Sequence, residues 1–252
     1  MLNTPTMDKL RELKLHGMLK GLQDQQTRSG YEGLDFEERL GLLTDLEMSE
    51  RENRRLKTRL QKANLRQQAC MEDINYSKRR GKDISTIKSL HDGRWIKDAL
   101  NVILTGSTGV GKSYLACAIV HRACMLGYNA QYFRASTLFG ELELAAEDGR
   151  YKRLMKALSK QHLIVIDDWG LSKLSEQGAN DLLEILEDRY NRRSTVIAGQ
   201  LPVEHWYEMI GNPTLADAIL DRLIHNSYRI NLEGDSMRKE QRNKRIESLS
   251  TP

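Results

Sequence analysis

The sequence predicts an α/β protein with a five-stranded parallel sheet, preceded by a small all-α domain at the amino terminus. After residue 100, short apolar runs alternate with helical stretches, which is typical of parallel strands covered by helices on both faces. Before residue 75, leucines recur at helical spacing and no strand pattern is found. We therefore expect a helical domain over residues 1–75, a connector over 76–95 and an α/β domain over 96–252.

Five apolar segments are the candidate strands of the sheet. In chain order they are NVILTG, AQYFRAS, HLIVIDD, STVIAG and SYRINL. Helical stretches separate them, one ending near Gly127 and another interrupted near Gly149. In the predicted helical domain, residues 1–75, which we call the leader, Asp35 and Glu38 have the spacing of a capping box and predict the start of a helix. We expect three or four helices there.

The composition is that of a soluble globular protein. The 252 residues are 39% hydrophobic and 29% charged, and the formal net charge is +4. No apolar run approaches the roughly 18 residues that a membrane helix needs. The amino terminus lacks the apolar core of a secretory signal, so we expect a cytoplasmic protein with no membrane partner.

The segment GSTGVGKS matches the phosphate-binding pattern GxxxxGK[ST], and it lies between a predicted strand and a predicted helix. Its glycines allow backbone N–H groups to curl around a phosphate, and the helix N-terminus adds a partial positive charge. Lys112 is expected to bridge the β- and γ-phosphates of ATP, and Ser113 to bind Mg²⁺. The residues expected to bind the nucleotide are Gly106, Ser107, Thr108, Gly109, Val110, Gly111, Lys112, Ser113 and Tyr114.

The segment LIVIDDWG delivers two acids from the end of a buried strand. Asp167 is expected to hold Mg²⁺, and Asp168 to orient and deprotonate the attacking water. Most ATPases of this kind carry Glu at the second position. Asp is shorter by about 1.5 Å, and misplacement on that scale costs about a hundredfold in rate, so we expect slow hydrolysis. The alternative is that Asp168 only caps the loop.

The spacing of the motifs indicates the class of phosphate-loop fold. About 50 residues and one predicted strand, AQYFRAS, separate Ser113 from Asp167. An extra strand between the phosphate-loop strand and the acid strand is found in the ASCE class of ATPases and not in adenylate-kinase-like proteins. Gln200 ends the next predicted strand, where such proteins place a polar residue that senses the γ-phosphate. It is also an ordinary residue for a strand end.

Arg222 is a candidate for contact with a neighbouring subunit. Leu215, Ile219 and Leu223 have the spacing of a core-facing stripe, so Arg222 is predicted to face away from the core. An exposed arginine there could reach the γ-phosphate of another subunit as a finger. The alternative is a surface arginine that pairs with Asp221 or with nothing. Arg238 is a weaker candidate for a similar role.

These residues together resemble the AAA+ ATPases, in particular the clade of DnaC and DnaA, whose LLxIDDxG pattern is similar to LIVIDDWG. About 20 residues follow the fifth predicted strand, so we expect no helical lid. Over nearly the whole chain the sequence resembles the IstB family of transposition helpers. The matching phrases are LKLHGM, FEERLGLLTDLEMSERENRRL and QLPVEHWYEMIGNPTLADAILDRL. GSTGVGKS departs mildly from that family's more usual GPxGxGKT.

The resemblance implies a function and a set of roles. IstB-like proteins bind ATP, assemble on duplex DNA with low sequence specificity, and recruit or stimulate an IstA-like transposase. Their oligomers hold ATP at subunit interfaces. Carried over by motif, Lys112 and Ser113 bind phosphate and Mg²⁺, and Asp167 binds Mg²⁺. By the same comparison Asp168 is the base, Gln200 the sensor and Arg222 a residue that acts in trans.

Basic residues mark the candidate DNA surface. Residues 50–82 contain eleven basic and four acidic residues, and RYKRLMKALSK forms a second basic stretch. Because aromatic residues are nearly absent from both, phosphate contacts are favoured over base reading. A solvated helix face is the alternative. The candidate DNA-binding residues are Arg54, Arg55, Arg59, Lys78, Arg79, Arg80, Lys152, Arg153, Lys156 and Lys173.

Two other functions compete with this interpretation. A DnaC-like loader of a replicative helicase would use the same ATPase, but the LKLHGM leader disfavours it. A nucleotide or small-molecule kinase would need an arginine-rich lid, and the extra strand and the paired acids disfavour it.

Overall fold

The computed structural model describes residues 4–74, 76, 83–234 and 236–237. The chain divides into two compact units, Met1–Thr58 and Arg59–Pro252. The sequence instead suggested a boundary near residue 75. The division at residue 58 falls inside the long helix that ends at Lys62, so the last turn of that helix belongs to the second unit.

Three helices form the described part of the leader: α1 (Thr4–Glu12), α2 (His16–Thr27) and α3 (Phe36–Lys62). The predicted capping box begins α3. The Glu38 backbone N–H donates to Asp35 Oδ1 at 2.8 Å, and the Asp35 N–H donates to Glu38 Oε2 at 3.0 Å. These two bonds satisfy backbone donors that a helix start would otherwise leave open, which is why α3 begins here.

Helices α2 and α3 approach closely at Gly17. A Cβ on this residue would lie 2.4 Å from the Leu46 carbonyl oxygen and 2.5 Å from the Glu47 Cα. The Glu47 carboxylate is buried beside it and accepts the Gly17 N–H at 2.7 Å. It therefore satisfies an orphan donor of the α2 N-terminus and places a negative charge at the positive end of that helix.

Five parallel strands form the sheet of the second unit, in the order β2-β3-β4-β1-β5. The predicted strand AQYFRAS is shorter than expected, because Ala135 and Ser136 already belong to the following helix. The other four strands lie where the sequence predicts them. The strand bounds are β1 (Asn101–Gly106), β2 (Ala130–Arg134), β3 (Leu163–Trp169), β4 (Ser194–Gly199) and β5 (Ser227–Leu232).

Helices of the second unit connect and cover these strands. The predicted interruption near Gly149 is confirmed, since one helix ends at Glu147 and the next begins at Tyr151. Gly149 itself has a φ of +76°. The helices are α4 (Ile84–Ser89), α5 (Arg94–Lys97), α6 (Lys112–Met125), α7 (Ala135–Glu147), α8 (Tyr151–Lys160), α9 (Glu176–Arg189), α10 (Trp206–Ile210) and α11 (Pro213–Ile224).

The core lies on both faces of the sheet. Strand β3 is buried from Leu163 to Asp167, and β4 is buried over its whole length. Residues buried on both sides make a strand almost continuously apolar, as expected of a parallel sheet. Ile219 and Leu223 of α11 are fully buried, which confirms the predicted core stripe of that helix. The sequence predicts that no helical lid follows β5. Most of the residues after β5 lie outside the described part of the chain, so this stays a prediction.

The close approach at Gly17 gives a prediction for stability. Gly17→Ala is expected to destabilise the leader by roughly 1–3 kcal/mol, because the new methyl group meets backbone atoms that cannot move separately. The matched control is Gly41→Ala in α3, where an added Cβ has no atom within 4 Å. That change should be neutral or stabilise by up to about 1 kcal/mol. Denaturant unfolding measures both, and equal effects would contradict the packing argument.

Candidate nucleotide-binding site

The phosphate loop joins the end of β1 to the start of α6. Gly106, Gly109 and Gly111 have φ values of +141°, +88° and +104°, which side-chain-bearing residues rarely adopt. A Cβ at Gly106 would also lie 2.2 Å from the Leu232 carbonyl oxygen of β5. The glycines of the motif are therefore required by backbone conformation, and the loop surrounds the N-terminus of a 14-residue helix.

Lys112 is folded over this loop. Its ammonium group donates to the carbonyl oxygens of Gly106 at 2.8 Å and Ser107 at 2.7 Å, and the residue is buried. Ser113 and Tyr114 follow in the first turn of α6 and are partly buried. Ser107 and Thr108 are exposed on the loop, whereas Val110 points into the core. The structure thus brings the predicted nucleotide-binding residues into one loop and one helix turn.

Gln200 is at the predicted place and contacts the phosphate loop. It directly follows β4, the neighbour of β1 in the sheet. Its side-chain oxygen accepts a hydrogen bond from the Thr108 hydroxyl at 2.7 Å. A movement of the phosphate loop would therefore displace the residue at the end of β4. In the same way, a movement of Gln200 would displace the loop.

Asp167 is a buried residue near the end of β3. It is 1% exposed, and its Oδ2 accepts a hydrogen bond from the Tyr132 hydroxyl of the neighbouring strand. Burial and the adjacent Asp167 carboxylate raise the pKa of Tyr132, so the phenol keeps its proton and remains a donor. One Asp167 oxygen is thereby satisfied within the protein, which orients the carboxylate.

Asp168 has an unusual backbone conformation. Its φ is +59°, and β3 carries one extra residue between Ile166 and Trp169 relative to β4. This bulge turns the second acid away from the buried face and leaves its side chain 22% exposed. Asp168 Oδ2 accepts hydrogen bonds from Arg134 Nε at 2.9 Å and Arg66 Nη1 at 3.3 Å.

Arg222 lies at the opposite end of the sheet from the phosphate loop. Its backbone carbonyl accepts a hydrogen bond from Asn101 at the start of β1, while the loop follows the end of that strand. Five residue steps of β-strand span about 16 Å. The guanidinium pairs with Glu187 at 2.8 Å, and not with Asp221 as the alternative suggested. Arg222 is therefore not brought together with Asp167 and Asp168 of its own chain.

The predicted DNA-binding residues lie in several places. Arg54 and Arg55 are exposed on α3, and Lys152, Arg153 and Lys156 are exposed on α8. Lys173 is exposed in the loop after β3, near Asp168, at an open cavity of about 330 Å³. Arg59 is partly buried and donates to the Cys124 carbonyl at the end of α6, so it stabilises that helix terminus. Lys78, Arg79, Arg80 and Arg238 lie outside the described residues.

Sequence reasoning missed Tyr132, Arg134 and Arg66. A signal existed for Arg134, because it ends the strand that pairs with the acid strand, in register with Asp167. Tyr132 lay two residues earlier in the same segment. Nothing in the sequence distinguishes Arg66 from the other basic residues around it. Only the fold of residues 63–71 brings its side chain to Asp168.

The phosphate loop, the acids at the end of β3 and the sheet order define an ATPase of the AAA+ class. The chain belongs to the family of IstB-like ATP binding proteins, whose family model matches residues 8–245. The described helices include none that is long and apolar enough to span a membrane.

Two sequence relatives are named as ATP-binding proteins of insertion sequences. The protein y4pL of Sinorhizobium fredii (strain NBRC 101917 / NGR234) is 50% identical, over 97% of this chain and 100% of its own length. Rv3427c of Mycobacterium tuberculosis (strain ATCC 25618 / H37Rv) is 31% identical, over 92% and 93%. The chain is thus similar over nearly its whole length to ATP-binding proteins of insertion sequences.

Solved structures share the fold. The DnaC helicase loader matches with a TM-score of 0.52 at 19% identity, over 69% of this chain and 99% of its own. DnaA of Aquifex aeolicus bound to AMPPCP matches with a TM-score of 0.59 at 15% identity, over 74% of this chain and 57% of its own. These likenesses confirm the predicted α/β fold with its DnaA- and DnaC-like sheet.

The Tyr132–Asp167 contact gives a second prediction. Tyr132→Phe removes the donor to a buried carboxylate and is expected to cost about 1–3 kcal/mol of stability. It should also weaken Mg²⁺-dependent ATP binding, because Asp167 loses the group that orients it. Calorimetry of unfolding and of ATP binding measures the two effects. Tyr190→Phe, at an exposed residue, is the control, and matching values for the two variants would refute the orienting role.

Proposed function

We propose that the protein is a Mg²⁺-dependent ATPase that assembles on duplex DNA and recruits or stimulates a partner transposase. The phosphate loop carries this proposal: Lys112 lies over it, and Gln200 is hydrogen-bonded to it. The loop follows β1, and the two acids end β3 at the same edge of the parallel sheet. Binding of ATP phosphates would engage all three elements.

The chemistry of the donors fits Mg²⁺. The ion prefers oxygen ligands and is commonly held by one or two carboxylates together with substrate phosphates and water. Ser113 and Asp167 would supply a hydroxyl and a carboxylate. Among the described residues there is no cluster of three or more His, Cys, Asp and Glu side chains that could hold a metal by itself. This agrees with a site that is completed by the nucleotide. When bound, Mg²⁺ neutralises phosphate charge.

Asp168 is the proposed general base. Its side chain is partly exposed at the end of β3, next to the buried Asp167. Because Asp is shorter than Glu, the carboxylate lies farther from a water near the γ-phosphate, and slow hydrolysis is the expected consequence. A slow ATPase would allow the ATP-bound assembly to persist, and hydrolysis would end it.

Arg222 is proposed to act on the nucleotide of a neighbouring subunit. Because Arg222 lies the length of β1 away from its own phosphate loop, a contact between its guanidinium and ATP would be made in trans. The side chain is only 27% exposed, and it contacts Glu187 in the single chain. Assembly would exchange this surface ion pair, which contributes little to stability, for a phosphate contact.

Duplex DNA is the proposed partner of the basic residues. Helix α8 buries Met155 and Leu158 and exposes Lys152, Arg153 and Lys156 on its other side. A helix with a row of exposed cations suits the phosphate backbone and does not distinguish bases. Arg54 and Arg55 of α3, Lys173, and the undescribed Lys78, Arg79 and Arg80 remain further candidates. Arg59 is a weaker one, because its guanidinium already caps α6.

A transposase partner is supported by the family and by the insertion-sequence names of the relatives. We propose an IstA-like transposase and a cytoplasmic site of action. The DnaC-like loader remains the alternative. The structural likeness to DnaC supports only a shared fold, whereas identity at the level of 50% extends over the whole of an insertion-sequence protein.

The size of the protein on DNA tests the proposal most directly. Light scattering with duplex DNA should show large complexes with ATP and small ones with ADP. Lys112→Ala should not form the large complexes, because the loop loses its phosphate-binding cation. Its leader should stay folded, as circular dichroism can verify. Monomers under all conditions, or full assembly of Lys112→Ala, would contradict the proposal.

The salt dependence of DNA binding tests the role of α8. Affinity should fall steeply with salt, and the double variant Lys152→Ala/Lys156→Ala should lower the log–log salt slope by about 2. The charge-matched control is Lys9→Ala/Lys97→Ala, which removes two exposed lysines elsewhere. Fluorescence anisotropy of labelled duplex DNA measures the slope of log affinity against log salt concentration. The salt concentration is varied from about 50 to about 300 mM, on the order of physiological ionic strength. If both double variants have the same slope, α8 is not the DNA surface.

A further inference from the structure

Asp168 is held by two arginines from different parts of the chain. Arg134 comes from the end of β2, and Arg66 from the segment that follows α3. Both guanidinium groups donate to the same oxygen, Oδ2. A base that deprotonates water needs an oxygen directed at that water, and this oxygen is directed at two cations instead.

The backbone around Arg66 is anchored against the ATPase sheet. The Ala63 carbonyl accepts the Tyr132 N–H at 2.9 Å, on the open edge of β2. Ala63, Ala69 and Met71 are buried. The direction in which the Arg66 side chain leaves the backbone is therefore set by packing and by hydrogen bonds.

Arg66 contacts the surroundings of both acids. Besides its bond to Asp168, its positive charge acts on Tyr132, whose hydroxyl donates to Asp167. One side chain from the segment between α3 and β1 thus connects the candidate base with the residue that orients the candidate metal ligand. Its own side chain is 41% exposed, so it can move without disrupting the core.

We propose that Arg66 is a positioning residue that holds Asp168 in a resting arrangement and thereby limits the rate of ATP hydrolysis. This inference rests on the proposed role of Asp168 as the general base. For hydrolysis, Oδ2 must exchange the arginines for the attacking water, or the carboxylate must turn its other oxygen towards that water. The segment after α3 thus controls a step that takes place at the end of β3.

The test is steady-state hydrolysis at saturating ATP. Arg66→Ala should raise kcat about two- to fivefold, the effect of losing one partly exposed ion pair. The KM for ATP should stay unchanged. A merely structural role for Arg66 would lower kcat together with the melting temperature. Arg66→Lys keeps a charge without the planar fork and should lie between Arg66→Ala and the wild type. Arg66→Gln keeps a hydrogen-bond donor but removes the charge. It replaces Arg66→Ala in the kcat measurement if the alanine variant is unstable.

Two controls separate the possible failures. Lys62→Ala removes the same charge from an exposed residue near the end of α3 and should leave kcat unchanged. Asp168→Asn should abolish hydrolysis in both the wild-type and the Arg66→Ala background. If kcat of a folded Arg66→Ala protein is unchanged or lower, the inference is wrong although the proposed function stands. If Asp168→Asn remains active, the proposed base is wrong, and the inference fails with it.

Discussion

The parallel pairing of β2, β3, β4 and β1 is the constraint on which the site depends. Parallel strands bring all their carboxyl ends to one edge of the sheet, so residues far apart in sequence meet there. Arg134 lies in register with Asp167, and Gln200 reaches Thr108 of the phosphate loop. Without the crossover helices that enforce this order, the motifs would be unrelated segments.

The bulge in β3 gives the two acids different environments. Before it, Asp167 is buried and hydrogen-bonded to Tyr132; after it, Asp168 has a left-handed backbone and is partly exposed. Gly199 permits this arrangement, since a Cβ there would lie 2.4 Å from the Trp169 carbonyl oxygen. A strained residue maintained by close packing is typical of functional sites. The same turn directs Asp168 towards Arg134 and Arg66.

The leader phrase LKLHGM has a physical explanation in helix packing. Gly17 lets α2 contact the backbone of α3, and the Gly17 and Met18 N–H groups donate to Glu47. Burial raises the pKa of Glu47, but hydrogen bonds from Arg51 and from these two N–H groups outweigh it and hold the pKa below its usual value. The stabilisation from Glu47 is therefore present above the unfolded-state pKa and is lost as the pH falls through the lower folded-state pKa.

The sequence by itself determined the sheet, its five strands, the phosphate loop and the paired acids, because local pattern encodes each of them. Alternating apolar runs identify parallel strands, and the motif glycines are needed by backbone conformation alone. The capping box of Asp35 and Glu38 is equally local and is confirmed.

Only the tertiary structure decided which side chains surround the acids. Arg66 lies 102 residues from Asp168 in the chain, and Arg222 pairs with Glu187 on another helix and not with its neighbour Asp221. Arg59, which stays a predicted DNA contact, also caps α6. Contacts of this kind depend on which surfaces pack together, and a charged residue in a basic run has the same local pattern whether it faces water, DNA or a carboxylate.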